Sequence, residues 1–203
     1  MTQRDFRTTI LELAIGVIDE LGEHAIRTNH LAAEAGTTPP TLYHYFGSRE
    51  GLIEEAQAER FFRSLQADVG SFVTQLGAVN DREGLRAAIG DLFLRRDSRD
   101  RDVVRWKRLN ALGSAFARAS LERRIAEVHN EVVARTALAL QPFQEQGLIR
   151  PDIDLRAVIA WYNGAVLGKA LTMLEGSDID AAEWQRTMNE AVLFMLFGPG
   201  AGS

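Results

Sequence analysis

The sequence predicts an all-α fold. Apolar residues recur at spacings of three and four rather than two. No alternating run rich in β-branched residues is long enough for a strand. Glycine and proline cluster between the periodic segments, as in residues 36–40 and 147–151. These patterns predict about nine helices, three in an N-terminal head (residues 1–47) and six in a larger helical-bundle body (residues 48–203).

The first helix of the head is amphipathic, and it ends before Gly22, a residue suited to the left-handed position after a helix. A second helix is predicted over residues 28–35, with Thr28 as its cap and Gly36 after its end. The stripe of the first helix comprises Phe6, Ile10, Leu13, Ala14, Val17, Ile18 and Leu21.

The third helix of the head is predicted over residues 39–46. Thr38 is its predicted cap, and both Pro39 and Pro40 fall in the first turn, where an amide would have no helical acceptor. Gly47 should end this helix, and Ser48 should cap the next.

Six helices are predicted in the body. Pro142 should kink the fourth of them or end it early, and we expect residues 198–203 to be disordered. The predicted ranges are about 49–73, 82–95, 101–112, 116–146, 155–174 and 181–197.

The composition is that of an ordinary globular chain of 203 residues with a net charge of −5. The chain has no cysteine, which excludes disulfides, thiolate metal sites and cysteine nucleophiles. Its first residues are too polar for a signal peptide, and its longest apolar run, residues 191–197, is far below the ~20 residues needed to span a bilayer. We therefore expect a cytoplasmic protein with no membrane partner.

Residues 31–46 read as two short helices joined by a glycine turn, which is a helix-turn-helix. Ala32 is small enough for two helices to approach closely, and Gly36 tolerates a positive φ in the turn. We expect this motif to pack on the first helix. The alternative, a plain αα-corner inside a bundle, remains open at this point. The packing residues should be Leu31, Ala35, Leu42, Tyr45 and Phe46.

The stretch AGTTPPTLYHYFGSREGL, residues 35–52, resembles the signature of the TetR family of bacterial transcriptional regulators, and the close match covers about residues 11–52. The body matches in length, in its all-helical pattern and in the turn at residues 147–152. The resemblance implies a homodimeric repressor with a DNA-binding head and a body that dimerises and binds a ligand.

The resemblance also implies which residues contact double-stranded DNA. Hydroxyls, an arginine and helix N-termini are normal phosphate partners, and threonine methyls and proline rings suit thymine methyls. Tyr43 and Arg49 match phosphate-binding positions of the family, and Tyr43 could instead be a packing residue. The implied contacts are Thr28, Asn29, Thr38, Pro39, Pro40, Thr41, Tyr43, His44 and Arg49.

The head is acidic for a DNA-binding domain, with four Arg against seven Asp or Glu in residues 1–50. Between Arg27 and Arg49 the balance is +1. Few phosphates can therefore be neutralised, and we expect a DNA affinity that depends only weakly on salt.

A mostly apolar effector cavity is predicted in the body, although ordinary core is an equally good reading for any one of its residues. Arg105 and Arg108 are predicted to be solvated surface. The cavity residues would be Phe62, Leu65, Val103, Trp106, Asn110, Phe116, His129 and Val132. We expect the effector to be largely apolar.

The last two helices are predicted to form the interface of a homodimer. Residues 191–197 are apolar on every side, and small residues in the preceding helix would allow close approach. Burial within one subunit is the alternative. The predicted interface residues are Gly164, Ala165, Gly168, Ala191, Phe194, Met195 and Phe197.

No catalytic constellation is visible in the sequence. The four histidines, at positions 24, 30, 44 and 129, lack the spacing that puts two ligands on one helix face, and there is no phosphate loop or nucleophile elbow. We expect no metal, no cofactor and no enzymatic activity. The leading hypothesis is a ligand-responsive regulator, a repressor, that binds a near-palindromic operator as a homodimer and is released by a small molecule. The alternative is a helical protein that binds or sequesters small molecules, with weak or no DNA binding.

Overall fold

The computed structural model describes residues 3–77, 79–94 and 99–199, and every regular element in these ranges is helical, which confirms the all-α prediction. Short 3₁₀ helices cover Glu23–Ala25 and Lys169–Met173. The α-helices are α1 (Gln3–Leu21), α2 (Thr28–Glu34), α3 (Pro39–Phe46), α4 (Arg49–Leu76), α5 (Arg82–Leu94), α6 (Arg99–Ala115), α7 (Ala119–Glu145), α8 (Leu155–Gly168) and α9 (Ala181–Phe197).

The chain divides into two compact units. The first unit holds the residues up to Arg63 together with Asn110–Glu127, and the second holds Ser64–Leu109 and the residues from Val128 onward. The first unit is larger than the predicted head of residues 1–47, because it includes half of α4 and the turn between α6 and α7. The helix α4 contributes to both units.

The first unit is built around one apolar core shared by α1, α2, α3 and the start of α4. The stripe predicted for α1 supplies much of it, and Ile26 anchors the segment before α2. Each fully buried aliphatic side chain stabilises the fold by about 1.5–3 kcal/mol. The core residues are Ile10, Leu11, Ala14, Ile15, Ile18, Ile26, Leu31, Ala32, Ala35, Leu42, Phe46, Leu52, Ile53 and Ala56.

The core of the second unit is formed by α4, α5, α7, α8 and α9 together with Ile149 of the turn before α8. Asp154 caps α8 by accepting from the amides of Arg156 and Ala157 at 2.8 and 3.2 Å. Asp180 caps α9 in the same way. None of the helices in the described part of the chain combines the length and apolarity needed to cross a bilayer.

The three predicted caps have different outcomes. Ser48 accepts from the amide of Gly51 at 2.9 Å, which confirms its role. Thr38 occupies the cap position of α3, but its hydroxyl bonds the hydroxyl of Thr41 at 3.0 Å instead. The prediction for Thr28 is wrong, because helical geometry already begins at this residue and Arg27 precedes it.

The turn between α6 and α7 lies later than predicted. α6 continues through Gly113 to Ala115, since one glycine costs a helix only about 1 kcal/mol. The predicted start of a helix at Phe116 is wrong, because Ala117 has a φ of 65° and interrupts the helical path. α7 then runs past Pro142 to Glu145.

Two predictions concern residues that lie partly outside the described ranges. The end of the fifth helix was predicted at Arg95, and residues 198–203 were predicted to be disordered. Arg95 and residues 200–203 lie outside the described residues, so both remain predictions.

Candidate nucleic-acid interface

The helix-turn-helix forms as the sequence predicts. Gly36 adopts a φ of 70°, and the amide of Thr37 closes the turn on the carbonyl of Ala32 at 2.9 Å. Ala32 is completely buried, as close approach of two helices requires, and so is Leu42 of α3. These contacts fix the position of α3 relative to α2.

The aromatic residues at the end of α3 separate into packing and surface roles. Phe46 is buried, and the guanidinium of Arg7 lies 5.5 Å from its ring centroid. Tyr45 is half-buried and packs against the same core. Tyr43 and His44 are exposed, so Tyr43 does not act as a core residue.

The side chains predicted to contact DNA all have solvent access. Asn29, Thr38, Pro40, Tyr43 and His44 are exposed. Thr28, Pro39, Thr41 and Arg49 are half-buried. Their contacts with DNA remain a prediction.

Two of these residues hold each other in place. The hydroxyls of Thr28 on α2 and Tyr43 on α3 form a hydrogen bond of 3.0 Å. A side chain that is already oriented loses less entropy when it binds a phosphate. The bond therefore pre-orients the tyrosine hydroxyl at the surface between α2 and α3.

Arg49 is anchored by three groups. Its Nε and Nη2 donate to the carbonyls of Ile26 and Glu23 at 3.2 and 2.9 Å, and its Nη1 donates to the Glu50 carboxylate at 2.7 Å. A guanidinium has five N–H groups, so donors remain for a phosphate. Arg49 thus links the start of α4 to the segment before α2.

Three other arginines of the first unit pair with carboxylates. Arg60 bonds Asp19 at 2.7 Å through Nη2, and Arg7 pairs with Glu55. Arg63 bridges Glu12 and Glu59, and the hydrogen bonds that it donates to these carboxylates raise the pKa of Arg63. Cations paired in this way neutralise DNA phosphates poorly, in line with the acidic balance of the sequence.

A polar network in the first unit was not predicted from the sequence. Buried Gln57 donates to both Glu23 and Asn110 at 3.2 Å, and buried Arg60 donates to Asn110 at 2.9 Å and to Gln57. Ser114 donates to the Glu23 carboxylate at 2.8 Å. The only signal in the sequence was a polar residue and an arginine, three positions apart, on the apolar side of α4.

The pKa of Glu23 reflects this environment. Burial of its carboxyl would raise the pKa, but hydrogen bonds from Ser114, Gln57 and Arg118 together outweigh that effect. The pKa of Glu23 is therefore lowered, and the network holds a carboxylate.

The predicted effector residues are divided between the two units. Phe62, Asn110 and Phe116 belong to the first, and the remaining five belong to the second. Phe116 is 88% exposed, and Asn110 participates in the polar network just described. The second unit contains Leu65, Val103, Trp106, His129 and Val132.

The face of α6 that is buried is the opposite of the face predicted to be buried. Arg105 and Arg108, predicted to be solvated, are only 4% and 5% exposed, whereas Val103 and Trp106 are exposed. Arg105 Nε donates to the Val166 carbonyl at 2.7 Å. Arg108 Nε donates to the Ser64 hydroxyl at 3.0 Å. The prediction failed because a guanidinium can be buried where acceptors brought together by the fold satisfy its N–H groups.

His129 is a half-buried polar group of the second unit. Burial of its ring lowers the pKa of His129, which favours the neutral imidazole. The Nε2 atom lies 3.5 Å from Nδ2 of Asn163 on α8. Of the other predicted residues in this unit, Leu65 and Val132 are buried.

The predicted interface residues of α8 and α9 have different surroundings. A Cβ on Gly168 would lie 3.0 Å from Cζ2 of Trp184, so this close approach occurs within the chain. Phe197 is buried in the core of its own unit, and its assignment to an interface is corrected on that ground. Gly164 is open, and Phe194 is 55% exposed. Ala165, Ala191 and Met195 are half-buried.

The described residues include no cluster of three or more His, Cys, Asp or Glu side chains placed to hold a metal ion. The candidate DNA-binding site consists of hydroxyls, an aromatic ring, an imidazole and an arginine on and beside the helix-turn-helix.

The sequence from α1 to the first turns of α4 matches the model of a known protein family. Residues 10–56 fit the family model described as bacterial regulatory proteins, tetR family. This segment of the chain is therefore similar to regulators of the TetR family. The transcriptional regulator BetI of Vibrio campbellii is 29% identical over 97 residues, which are 48% of this chain and 48% of that protein. The chain thus spans about half the length of the BetI relatives it matches first.

Solved structures of transcriptional regulators extend the similarity in fold along the chain. A TetR-family regulator from Mesorhizobium loti covers 95% of this chain and 97% of its own, with a TM-score of 0.70 and 20% identity. A transcriptional regulator from Saccharomonospora viridis, solved in complex with choline, covers 94% and 96%, with a TM-score of 0.57 and 20% identity. At these identities the comparison establishes the fold.

Proposed function

We propose that this protein is a TetR-family repressor that binds a near-palindromic operator as a homodimer and leaves it when a small molecule binds. The observation that carries the proposal is the set of accessible side chains on α2 and α3, above all Tyr43 pre-oriented by Thr28 at 3.0 Å. A dimer would place two recognition helices in successive major grooves, about 34 Å apart.

The DNA contacts we propose follow from the chemistry of these side chains. Tyr43, Thr28 and Arg49 meet phosphates, and Asn29 and the amides at the start of α2 add further donors. Thr41, His44 and the ring of Pro40 lie toward the base edges, together with Thr38 and Pro39. With few free cations, affinity depends on hydrogen bonds and on the pairing of two heads.

The effector site we propose lies in the second unit. His129 and Asn163 supply polar groups, and Leu65 and Val132 supply apolar surface, so a largely apolar molecule with one polar group fits. The similar regulator from Saccharomonospora viridis binds choline, which supports a body that accepts small organic molecules. By linkage, the effector must weaken DNA binding by the same factor by which DNA weakens effector binding.

The dimer interface we propose is the exposed part of α8 and α9. Gly164 and Ala165 permit close approach, and Phe194 and Trp161 offer exposed aromatic surface. Ala191 and Met195 lie beside them on α9. An isologous pairing of these two helices would bury the exposed rings in a four-helix arrangement.

One experiment tests the proposal as a whole. The full-length protein is first used to select duplexes from a random pool. The selected duplex is then titrated with the protein in gel shifts, and the mass of the protein–DNA complex is measured. We expect a near-palindromic duplex bound by two chains. A compound library screened by thermal shift should contain ligands that release this duplex.

The alternative function predicts a different pattern. The pairing of Arg7, Arg60 and Arg63 with carboxylates leaves few cations for DNA and favours a protein that sequesters small molecules. Ligands found by thermal shift together with no selected duplex would establish that alternative and contradict the repressor.

A further inference from the structure

The turn between α6 and α7 contacts the segment that precedes α2, within the first unit. Arg118 is the central residue of this contact. Its Nη1 lies 3.0 Å from both carboxylate oxygens of Glu23, and its Nη2 donates to Glu50 at 3.2 Å. Ser114, one turn earlier, donates to the same Glu23 carboxylate at 2.8 Å.

The two glutamates whose carboxylates Arg118 holds also contact Arg49. Glu50 accepts from Arg49 Nη1 at 2.7 Å, and the backbone carbonyl of Glu23 accepts from its Nη2 at 2.9 Å. Arg49 and Arg118 together with Glu23 and Glu50 carry no net charge. Removal of Arg118 leaves a net negative charge beside Arg49 and lets both carboxylates shift.

The segment from Glu23 to Ile26 leads directly into α2. Gly22 precedes it with a φ of 84°, and Ile26 is buried. Arg27 then donates to the carbonyls of His24 and Ile26 at 2.7 and 3.1 Å. Movement of Glu23 therefore moves the start of α2, where Thr28 orients Tyr43.

We infer that Arg118 and Glu23 are positioning residues for DNA binding, which hold Arg49 and the start of α2 in the geometry that meets the phosphate backbone. The inference rests on the proposed function. It assigns to the α6–α7 turn an indirect influence on DNA affinity, since neither Arg118 nor Glu23 is placed at the DNA.

The test compares four full-length variants on the duplex that the unmodified protein selects: Arg118→Ala, Arg118→Lys, Glu23→Gln and the control Arg123→Ala. Arg123 is an exposed residue of α7, the helix that follows Arg118, and its removal changes the charge equally. We expect Arg118→Ala and Glu23→Gln to weaken binding about tenfold, within the range of measured couplings. Arg118→Lys should bind at an intermediate affinity, and the control should bind within twofold of the unmodified protein.

The sign of the Glu23→Gln effect separates positioning from charge. Loss of an anion should strengthen DNA binding if only net charge matters. Positioning requires weaker binding, and the double variant Arg118→Ala/Glu23→Gln should be no weaker than the worse single variant. Tighter binding by Glu23→Gln, or unchanged binding by Arg118→Ala, overturns the inference.

Amide hydrogen exchange supplies a readout that does not depend on DNA. In folded Arg118→Ala and Arg118→Lys we expect faster exchange at Ala25, Ile26 and Leu31, whose amides close the segment and the first turn of α2. Unchanged exchange at these amides overturns the inference. If the unmodified protein selects no duplex, the proposed function fails, and the exchange experiment still decides whether Arg118 holds this segment.

Discussion

At the scale of single residues, Gly51 tightly constrains the junction between α3 and α4. An added Cβ at this position would overlap the carbonyl oxygen of Phe46, which already accepts from the amide of Ser48 at 2.8 Å. Gly51 has a helical backbone conformation that any residue can adopt. Glycine is needed here because α4 approaches the end of α3 too closely for a Cβ.

We expect Gly51→Ala to destabilise the protein by about 1–3 kcal/mol, because the backbone at the end of α3 must shift. Gly16→Ala on α1 is the matched control, since nothing lies within 4 Å of an added Cβ there. This control should be neutral or more stable by about 0.5–1 kcal/mol. Urea unfolding measures both, and equal stability of the two variants would contradict the close approach.

Glu23 should contribute a stability that depends on pH. Its pKa is lowered in the folded protein, since hydrogen bonds from Ser114, Gln57 and Arg118 outweigh the opposing effect of burial. The contribution is therefore complete above the ordinary glutamate pKa of about 4.3, and it is lost as the pH falls through the lower folded pKa.

Unfolding of the unmodified protein and Glu23→Gln should be compared at several pH values between neutrality and pH ~3. We expect the stability difference to be largest near neutrality and to shrink below pH ~4.3. Glu122→Gln, at an exposed position of α7, serves as the control. A difference that stays constant across this range would contradict the role of the carboxylate.

Among the elements, the α6–α7 turn departs most from the prediction. Ala117 has a φ of 65°, a conformation that L-residues other than glycine adopt at a cost of about 1–2 kcal/mol. The amide of Arg118 bonds the carbonyl of Ala115 at 2.9 Å, which tightens the turn just before Arg118 reaches Glu23.

We expect Ala117→Gly to raise the free energy of unfolding by up to about 1 kcal/mol, because glycine adopts this conformation without steric cost. Ala126→Gly, at an exposed position inside α7, should lower it by about 1 kcal/mol. Thermal unfolding distinguishes the two, and a loss of stability in both variants would argue against strain at Ala117.

For the whole molecule, the distribution of charge sets how DNA binding responds to salt. The chain carries a net charge of −5, and arginines of the first unit pair with carboxylates. Electrostatic attraction of the whole protein to DNA is therefore weak, and specific contacts must supply the affinity.

We expect a slope of about −4 for log K against log salt, from about two free cations in each head of a dimer. Anisotropy titrations of the selected duplex at several potassium chloride concentrations measure it. A slope as steep as about −8 would contradict the shallow dependence, because it requires roughly nine phosphates to be neutralised.

Local chemistry was enough to predict the all-α fold, the helix-turn-helix and most helix boundaries. Gly36 closes its turn through its own backbone freedom, and Pro39 and Pro40 start α3 through the geometry of their rings. These are properties of a few consecutive residues. They require no knowledge of what packs against them.

The tertiary structure alone decided the orientation of α6 and the position of Arg118. The pattern of α6 fits two opposite faces, and the face with Arg105 and Arg108 is buried because acceptors from Val166 and Ser64 meet their guanidinium groups. Arg118 reaches Glu23 across 95 residues of sequence. Such partners are invisible to periodicity, since the favourable energy of a buried charge depends on acceptors brought together only by the fold.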